Sequence, residues 1–526
     1  MRLNASGWRW LAPLLLWSLM AAVRAAPAGG AVNLAMVGEP QTLDPMASTA
    51  DLVGVIMQHV YEPLYTFDAD WRIAPMLAAS LPEISADGKR VAITLRRDVR
   101  FHNGKAMDAD DVVASLRRWL DMTPRGKTTA AAVLAVRAAG PHQVELLLRQ
   151  PYAPLLAQLA LPTGFAAIMP KEVIGVPLRQ FVGTGPYRFA QRKSDRYVVL
   201  KRYDGYQARA EPPSGYAGRR QALLAELRFI PVPNANTRVL GALSGQYHFA
   251  DLLPVEAYPR LAREPALRPL ITAPFGFPYL VLNTGRGPLA GVAMRQAVNA
   301  ALDLRQVLAA GFGDARFYTA EGNHFPRGSP FYATDGSGAY SQADPAKARQ
   351  LAARAGYRGQ TLTFMTSKQY EFHYRMALVM ADQLRRAGFR VDLQVVEWAS
   401  LIARRNDMAL WDMYLTHSAF LPEPMLSPPQ LGDGAPGGWH GAAKDAIIGR
   451  FVRESDPAAR AALWGGVQSL LYTELPYIKL GTFNSLTVAS AGLDGYTPAP
   501  WPFFWNTRLG APGLQPHTRH QDAITP

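Results

Sequence analysis

The chain has 526 residues, 49% of them hydrophobic, and carries 55 Lys and Arg against 41 Asp and Glu for a net charge of +14, with no cysteine. Without cysteine there are no disulfides, no thiolate catalysis and no cysteine-ligated metal site. The basic residues are scattered as Arg96-Arg97, Arg117-Arg118, Arg219-Arg220, Arg385-Arg386 and Arg404-Arg405, mostly beside apolar helical stripes, so no nucleic-acid partner is expected.

At the N-terminus, Arg2 and Arg9 precede an apolar stretch from Trp10 to Val23 that is followed by Val23-Arg24-Ala25. The stretch is shorter than the roughly 20 residues that span a bilayer. The small residues sit where signal peptidase reads, so residues 1–25 are read as a removed signal peptide. With no cysteine to acylate at the mature start, the product is expected to be a freely diffusing periplasmic protein rather than a lipoprotein.

About 500 mature residues exceed what one hydrophobic core organises, so at least two lobes are expected. Val91, Ile93 and Leu95 alternate with Ala92 and Thr94 after an Asp87-Gly88 turn, the pattern of a half-buried strand. Asp108, with Asp111 three residues on, is placed to cap a helix whose stripe is Val112, Leu116, Trp119 and Leu120. Further strands are predicted at 144–148, 197–200, 225–230, 279–282, 391–396 and 413–416. A helix over 346–355 is bounded by Asp344-Pro345 and Gly356, and another over 374–387 stops at Gly388. Strands alternating with amphipathic helices give an α/β fold.

Seven segments, taken in order, carry a resemblance. They are Glu39-Pro-Gln-Thr-Leu-Asp-Pro45, the run 59–120, Val182-Gly-Thr-Gly-Pro-Tyr-Arg-Phe189 with 197–206, the helix and strand of 238–251, 280–303, 344–357, and Glu474-Leu-Pro-Tyr-Ile-Lys-Leu480. Together they resemble solute-binding family 5, the extracytoplasmic receptors of ABC importers that take dipeptides, oligopeptides or nickel. The resemblance implies the two-lobed periplasmic-binding-protein fold of type II, with mixed sheets flanked by helices and two crossing strands as a hinge. The first lobe is then 26–278 plus 488–510, with an extra subdomain at about 60–182, and the second is 279–487. Residues 511–526 are expected to form a disordered tail.

The implied function is capture of a peptide or peptide-like, amine-bearing solute between closing lobes, for delivery to an inner-membrane ABC permease complex. A monomer is expected, with no cofactor, no resident metal and no catalytic residue. Opines, nickel chelates and oligosaccharides are the alternative ligands, and a secreted hydrolase or chaperone on the same scaffold is the alternative activity. In peptide receptors of the family an aspartate holds the ligand's amino group. The corresponding stretch here, 417–425, offers Glu423-Pro424 instead, so Glu423 is either a substitute or a loop carboxylate. By the same resemblance Lys368 lies where a basic residue meets a ligand carboxylate, and Tyr61 and Thr184 lie near the cleft floor. Trp398 and Phe420 are candidate pocket walls, whereas Trp411, Tyr414 and Trp439 are expected in the core.

Histidines are dispersed without metal-clamp spacing, and His417 is the one candidate ligand among them. Gly183-Thr-Gly185 lacks the third glycine and the lysine of a phosphate loop, and there is no Gly-x-Ser-x-Gly elbow.

Overall fold

The structure, a computed structural model, describes residues 29–427, 431–432 and 434–510; the predicted signal peptide and the C-terminal tail at 511–526 lie outside the described residues. Each predicted strand forms. Gln143–Leu148, Tyr197–Arg202 and Met413–Ala419 contain the expected runs, whereas Glu226–Pro231 starts one residue later and Arg390–Val395 starts and stops one residue earlier than expected. The helix Ala109–Met122 begins where the Asp108 carboxylate accepts the Asp111 amide at 3.0 Å and the Asp111 carboxylate accepts the Asp108 amide at 3.2 Å. This reciprocal cap satisfies two amide donors that have no partner within the helix. Pro345–Arg354 and Glu371–Arg386 end at Gly356 and Gly388, both with positive φ, a conformation that costs glycine little.

One twelve-stranded sheet runs through the molecule. At one side Ala31–Met36 lies between Glu226–Pro231 and Phe249–Leu253, parallel to both; this is the core of the first lobe. At the other side Thr361–Thr366 lies between Arg390–Val395 and Met413–Ala419, again parallel to both; this is the core of the second. Between them run two long strands, Leu267–Leu282 and Thr482–Ser490. Residues 267–272 of the first pair with 485–490 of the second, whereas 276–282 pair with 413–419 on its other side. The register shifts between Thr272 and Gly276, so the Ala273-Pro274-Phe275 segment belongs fully to neither lobe. A second, four-stranded sheet of Glu83–Ile84, Arg90–Thr94, Gln143–Leu148 and Val133–Gly140 carries Ala109–Met122 and stands beside the first lobe.

The carboxyl ends of the parallel strands in both lobes lie toward this crossing, where ligands of α/β sheets collect. The returning tail closes the first lobe through His59. Its Nδ1–H donates to the Val55 carbonyl at 2.9 Å and its Nε2 accepts the Phe504 amide at 2.9 Å. Only the neutral ring satisfies both contacts, and complete burial holds its pKa down at about 3. Trp411, Tyr414 and Trp439 are buried in the second lobe, as expected.

Candidate ligand-binding site

A tight turn supplies the first lobe's contribution. The Asp68 carboxylate accepts the amides of Asp70 and Arg72, each at 2.9 Å, and between them Trp71 takes a left-handed φ of 62°. A non-glycine residue in that region stores about 1–3 kcal/mol of strain unless its surroundings fix it. Here the indole lies across the gap between lobes. Its ring meets Phe420 of the second lobe edge-on at 5.0 Å, and Trp501 of the returning tail at 6.5 Å. A backbone bond from the Ala153 amide to the Val452 carbonyl, 2.8 Å, joins the lobes a second time. The two halves are therefore in contact.

Beneath these contacts lies a cavity of about 480 Å³. Phe67, Trp71 and Leu155 line it from the first lobe and the sheet beside it, and Phe331, Pro422 and Pro457 from the second. Its volume falls within the range of small-molecule pockets, and apolar walls with few polar groups are the usual composition of such sites. Besides Arg72 and Ser455, its polar lining is a buried ion pair. Arg460 donates from Nη1 to Glu423 Oε2 at 2.8 Å and from Nη2 to Oε1 at 2.6 Å, while its guanidinium lies 4.2 Å over Phe451. Glu423 Oε1 also accepts the Met425 amide at 3.2 Å.

Phe420 and Glu423 thus sit at the inter-lobe contact, with Glu423 lining the cavity and both of its oxygens held by Arg460. A carboxylate already neutralised by a two-point guanidinium contact has little attraction left for an incoming ammonium.

Three other sequence candidates gather at a different place. His417 Nδ1 lies 3.1 Å from His373 Nε2, with Tyr370 and Trp398 packed around the pair. Burial lowers the pKa of His417 to about 4. Lys368 is exposed nearby, its ammonium 4.7 Å over Tyr374. None of these lines the large cavity.

Tyr61 and Thr184 are fully inside the first lobe. The Thr184 hydroxyl donates to Glu62 Oε2 at 3.0 Å, Tyr206 donates to Oε1 at 2.7 Å, and Arg220 lies 3.6 Å from Oε1. Thr184→Val is expected to cost about 1–2 kcal/mol, since it leaves a buried carboxylate one donor short; thermal unfolding measures this, and an unchanged midpoint would refute the role.

Sequence reasoning passed over Trp71, Arg460 and the wall at Phe331. Asp68-Ala-Asp-Trp-Arg72 lies inside the run 59–120, and Asp456-Pro457 is a readable helix start for Pro457–Glu474. Neither pattern says what the side chain faces.

Comparison with known proteins agrees with this geometry. The family described as "Bacterial extracellular solute-binding proteins, family 5 Middle" matches residues 72–436, more than half of the chain. A probable peptide ABC transporter periplasmic-binding protein of Sinorhizobium fredii is 25% identical over 515 residues, covering 94% of this chain and 96% of that one. The nickel-binding periplasmic protein of Escherichia coli is 28% identical over 476 residues, covering 84% and 87%. Among solved structures, a periplasmic binding protein from Helicobacter pylori in complex with a peptide superposes with a TM-score of 0.73 at 22% identity, covering 92% of this chain and 99% of that one. With two lobes joined at crossing strands and a cavity between them, the chain belongs to family 5 of the bacterial extracellular solute-binding proteins.

Proposed function

We propose that this protein is a periplasmic receptor that captures a peptide or peptide-like, amine-bearing solute between its lobes and presents the closed form to the permease of an ABC importer. The observation that carries the reading is the 480 Å³ cavity with walls from both halves, bordered by Trp71, which meets Phe420 of the second lobe. Closure buries whatever occupies it, and a ligand shifts the open–closed balance only by its difference in affinity for the two shapes. The peptide carried by the Helicobacter pylori neighbour and the peptide name of the Sinorhizobium fredii relative support the solute class, whereas the nickel name of the Escherichia coli relative supports the chelate alternative. The apolar walls favour a ligand with a bulky apolar body.

In this reading the protein works by binding, as a monomer, without bond-making of its own. Lobe I is 26–278 with 488–510, including the extra subdomain at about 60–182, and lobe II is 279–487; the shift at 272–276 supports a hinge there. Among the described residues no helix is long and apolar enough to cross a membrane.

The test is titration of tripeptide mixtures against intrinsic fluorescence, with eight tryptophans in the chain after residue 25, alongside mass spectrometry of material released from protein isolated from the periplasm. Saturable binding near micromolar, about −8 kcal/mol, without turnover of the ligand, is expected. Chemical conversion of the solute would refute the reading. Trp71→Ala is expected to weaken binding roughly tenfold, as loss of an aromatic pair worth about 0.5–1.5 kcal/mol loosens the closed form; unchanged affinity would show that this contact does not stabilise closure.

A further inference from the structure

The large cavity between the halves asks for no hydrogen bond. Several buried side-chain polar atoms among the described residues lack a partner, yet none of them belongs to a residue that lines it. Glu423 and Arg460 are buried in its wall, and each satisfies the other at two points. Tyr152 is an aromatic part of the wall that adds a half-buried hydroxyl, too little for the donor and acceptor that every peptide unit carries. A backbone amide or a charged terminus enclosed here would leave water without finding a partner, which is costly. The interior therefore suits a chain without polar atoms.

The solvent side is built differently. Arg72 and Ser455, the other polar lining residues, are both exposed. Leu81 and Ile84 also line the cavity and are 54% and 45% exposed, so the apolar wall runs out to the surface. Ile84 lies on the short edge strand Glu83–Ile84 of the four-stranded sheet, and Val91 and Leu148 of the same sheet stand in the wall. The sheet beside the first lobe thus takes part in shaping the site. Apolar surface within and at the lip, with Arg72 and Ser455 toward water, matches a molecule that has a hydrocarbon tail and a polar head.

We propose that this cavity encloses the hydrocarbon tail of an acylated, peptide-like solute of medium chain length, while the peptide part stays at the exposed side near Arg72 and Ser455. The inference rests on the receptor reading above and names the part of the solute that the apolar walls select. The 480 Å³ of the cavity is the share of liquid that roughly sixteen water molecules occupy. At the packing density of protein interiors this is room for a chain on the order of ten carbons. An acyl chain differs from a stretch of peptide in the property that matters here, because it carries no donor or acceptor beyond its first carbon. It can fill the interior without stranding a polar group, and every methylene it brings is removed from water.

The experiment uses full-length protein from the periplasm and glycyl-lysyl-glycine acylated at the lysine side chain with acetyl, octanoyl or decanoyl, its N-terminus free, read by intrinsic fluorescence and native mass spectrometry. A fully enclosed methylene is worth about fourfold in affinity, so even with partial enclosure the octanoyl peptide is expected to bind roughly a hundredfold more tightly than the acetyl peptide. One peptide per protein is expected. Leu156→Trp puts bulk into the cavity and is expected to cut that advantage to about fivefold or less, and Leu81→Asp with Ile84→Asp, which puts charge on the lip, is expected to cut it at least about threefold. Thermal unfolding of each variant without peptide separates loss of the site from loss of the fold, and the exposed pair supplies the readout if Leu156→Trp does not fold. Equal affinity for the acetyl and octanoyl peptides, several octanoyl peptides per protein, or an undiminished advantage in the variants overturns the tail site and leaves the receptor reading standing. Failure of every peptide to bind overturns both.

Discussion

Arg460→Met is expected to destabilise the protein by about 3–5 kcal/mol, the usual cost of stranding one member of a buried ion pair. Glu423 has 2% of its side chain exposed and Arg460 has 10%, so neither charge recovers water when the other is removed. Arg460 is further enclosed by Phe451 and Phe331. The double variant Arg460→Met with Glu423→Leu is expected to regain much of the loss, because removing both charges also removes both desolvation costs. Denaturant unfolding of the two single variants and the double measures this directly. Single and double variants of equal stability would show that the pair is solvated. Glu423→Gln, which keeps the shape and discards the charge, is expected to lower stability as well.

Acidification from pH 6.5 to pH 5 is expected to remove on the order of 5 kcal/mol of stability, a second effect of similar size. His59 and His324 are buried with pKa values held near 3, and His102 and His417 with values near 4, in each case chiefly by desolvation. His324 shows the same neutral pattern as His59. Its Nε2 accepts the Tyr477 hydroxyl at 2.7 Å, and its Nδ1 faces Gln468 Oε1 at 3.3 Å. Below the ordinary imidazole value the unfolded chain binds protons that the folded one refuses, so stability falls as pH falls, by about 1.4 kcal/mol per unit for each group. Asp251 acts with the opposite sign. Its raised value means that the folded state takes up a proton below about 7 while the unfolded carboxyl stays ionised to about 4, which offsets one imidazole. The four histidines outweigh it. Unfolding midpoints in denaturant at pH 5 and pH 7 test the balance, and a stability that is flat or rising on acidification would refute it.

Much of the fold was legible because it is written in local rules. The Asp108 cap, the Asp344-Pro345 start and the stops at Gly356 and Gly388 each follow from one residue's effect on its own backbone. The long crossing strand was read only at its last four residues. Pro269, Pro274, Gly276 and Pro278 break the pattern of Leu267–Leu282, and prolines normally argue against a central strand. Here its pairing partners change sides between 272 and 276, so the chain stays extended where local signals say stop.

The site was legible in part. Phe420 is buried and meets Trp71 of the first lobe, and Glu423 lines the cavity with a partner 37 residues away. Lys368, Trp398 and His417 share a neighbourhood apart from the large cavity, while Thr184 answers to Glu62, 122 residues earlier.

From its order of residues alone this chain declares its secondary structure, its division into lobes, its missing thiol chemistry and its kinship, because caps, periodicity and motif order act over a few residues. Which carboxylate is gripped at both oxygens was decided only by folding. Asp251 and Glu423 read alike as acidic residues in a line of text, and they differ because Arg460 donates to both oxygens of Glu423 whereas Arg238 donates to the backbone carbonyls of 251 and 252, leaving burial as the larger influence on the Asp251 carboxyl.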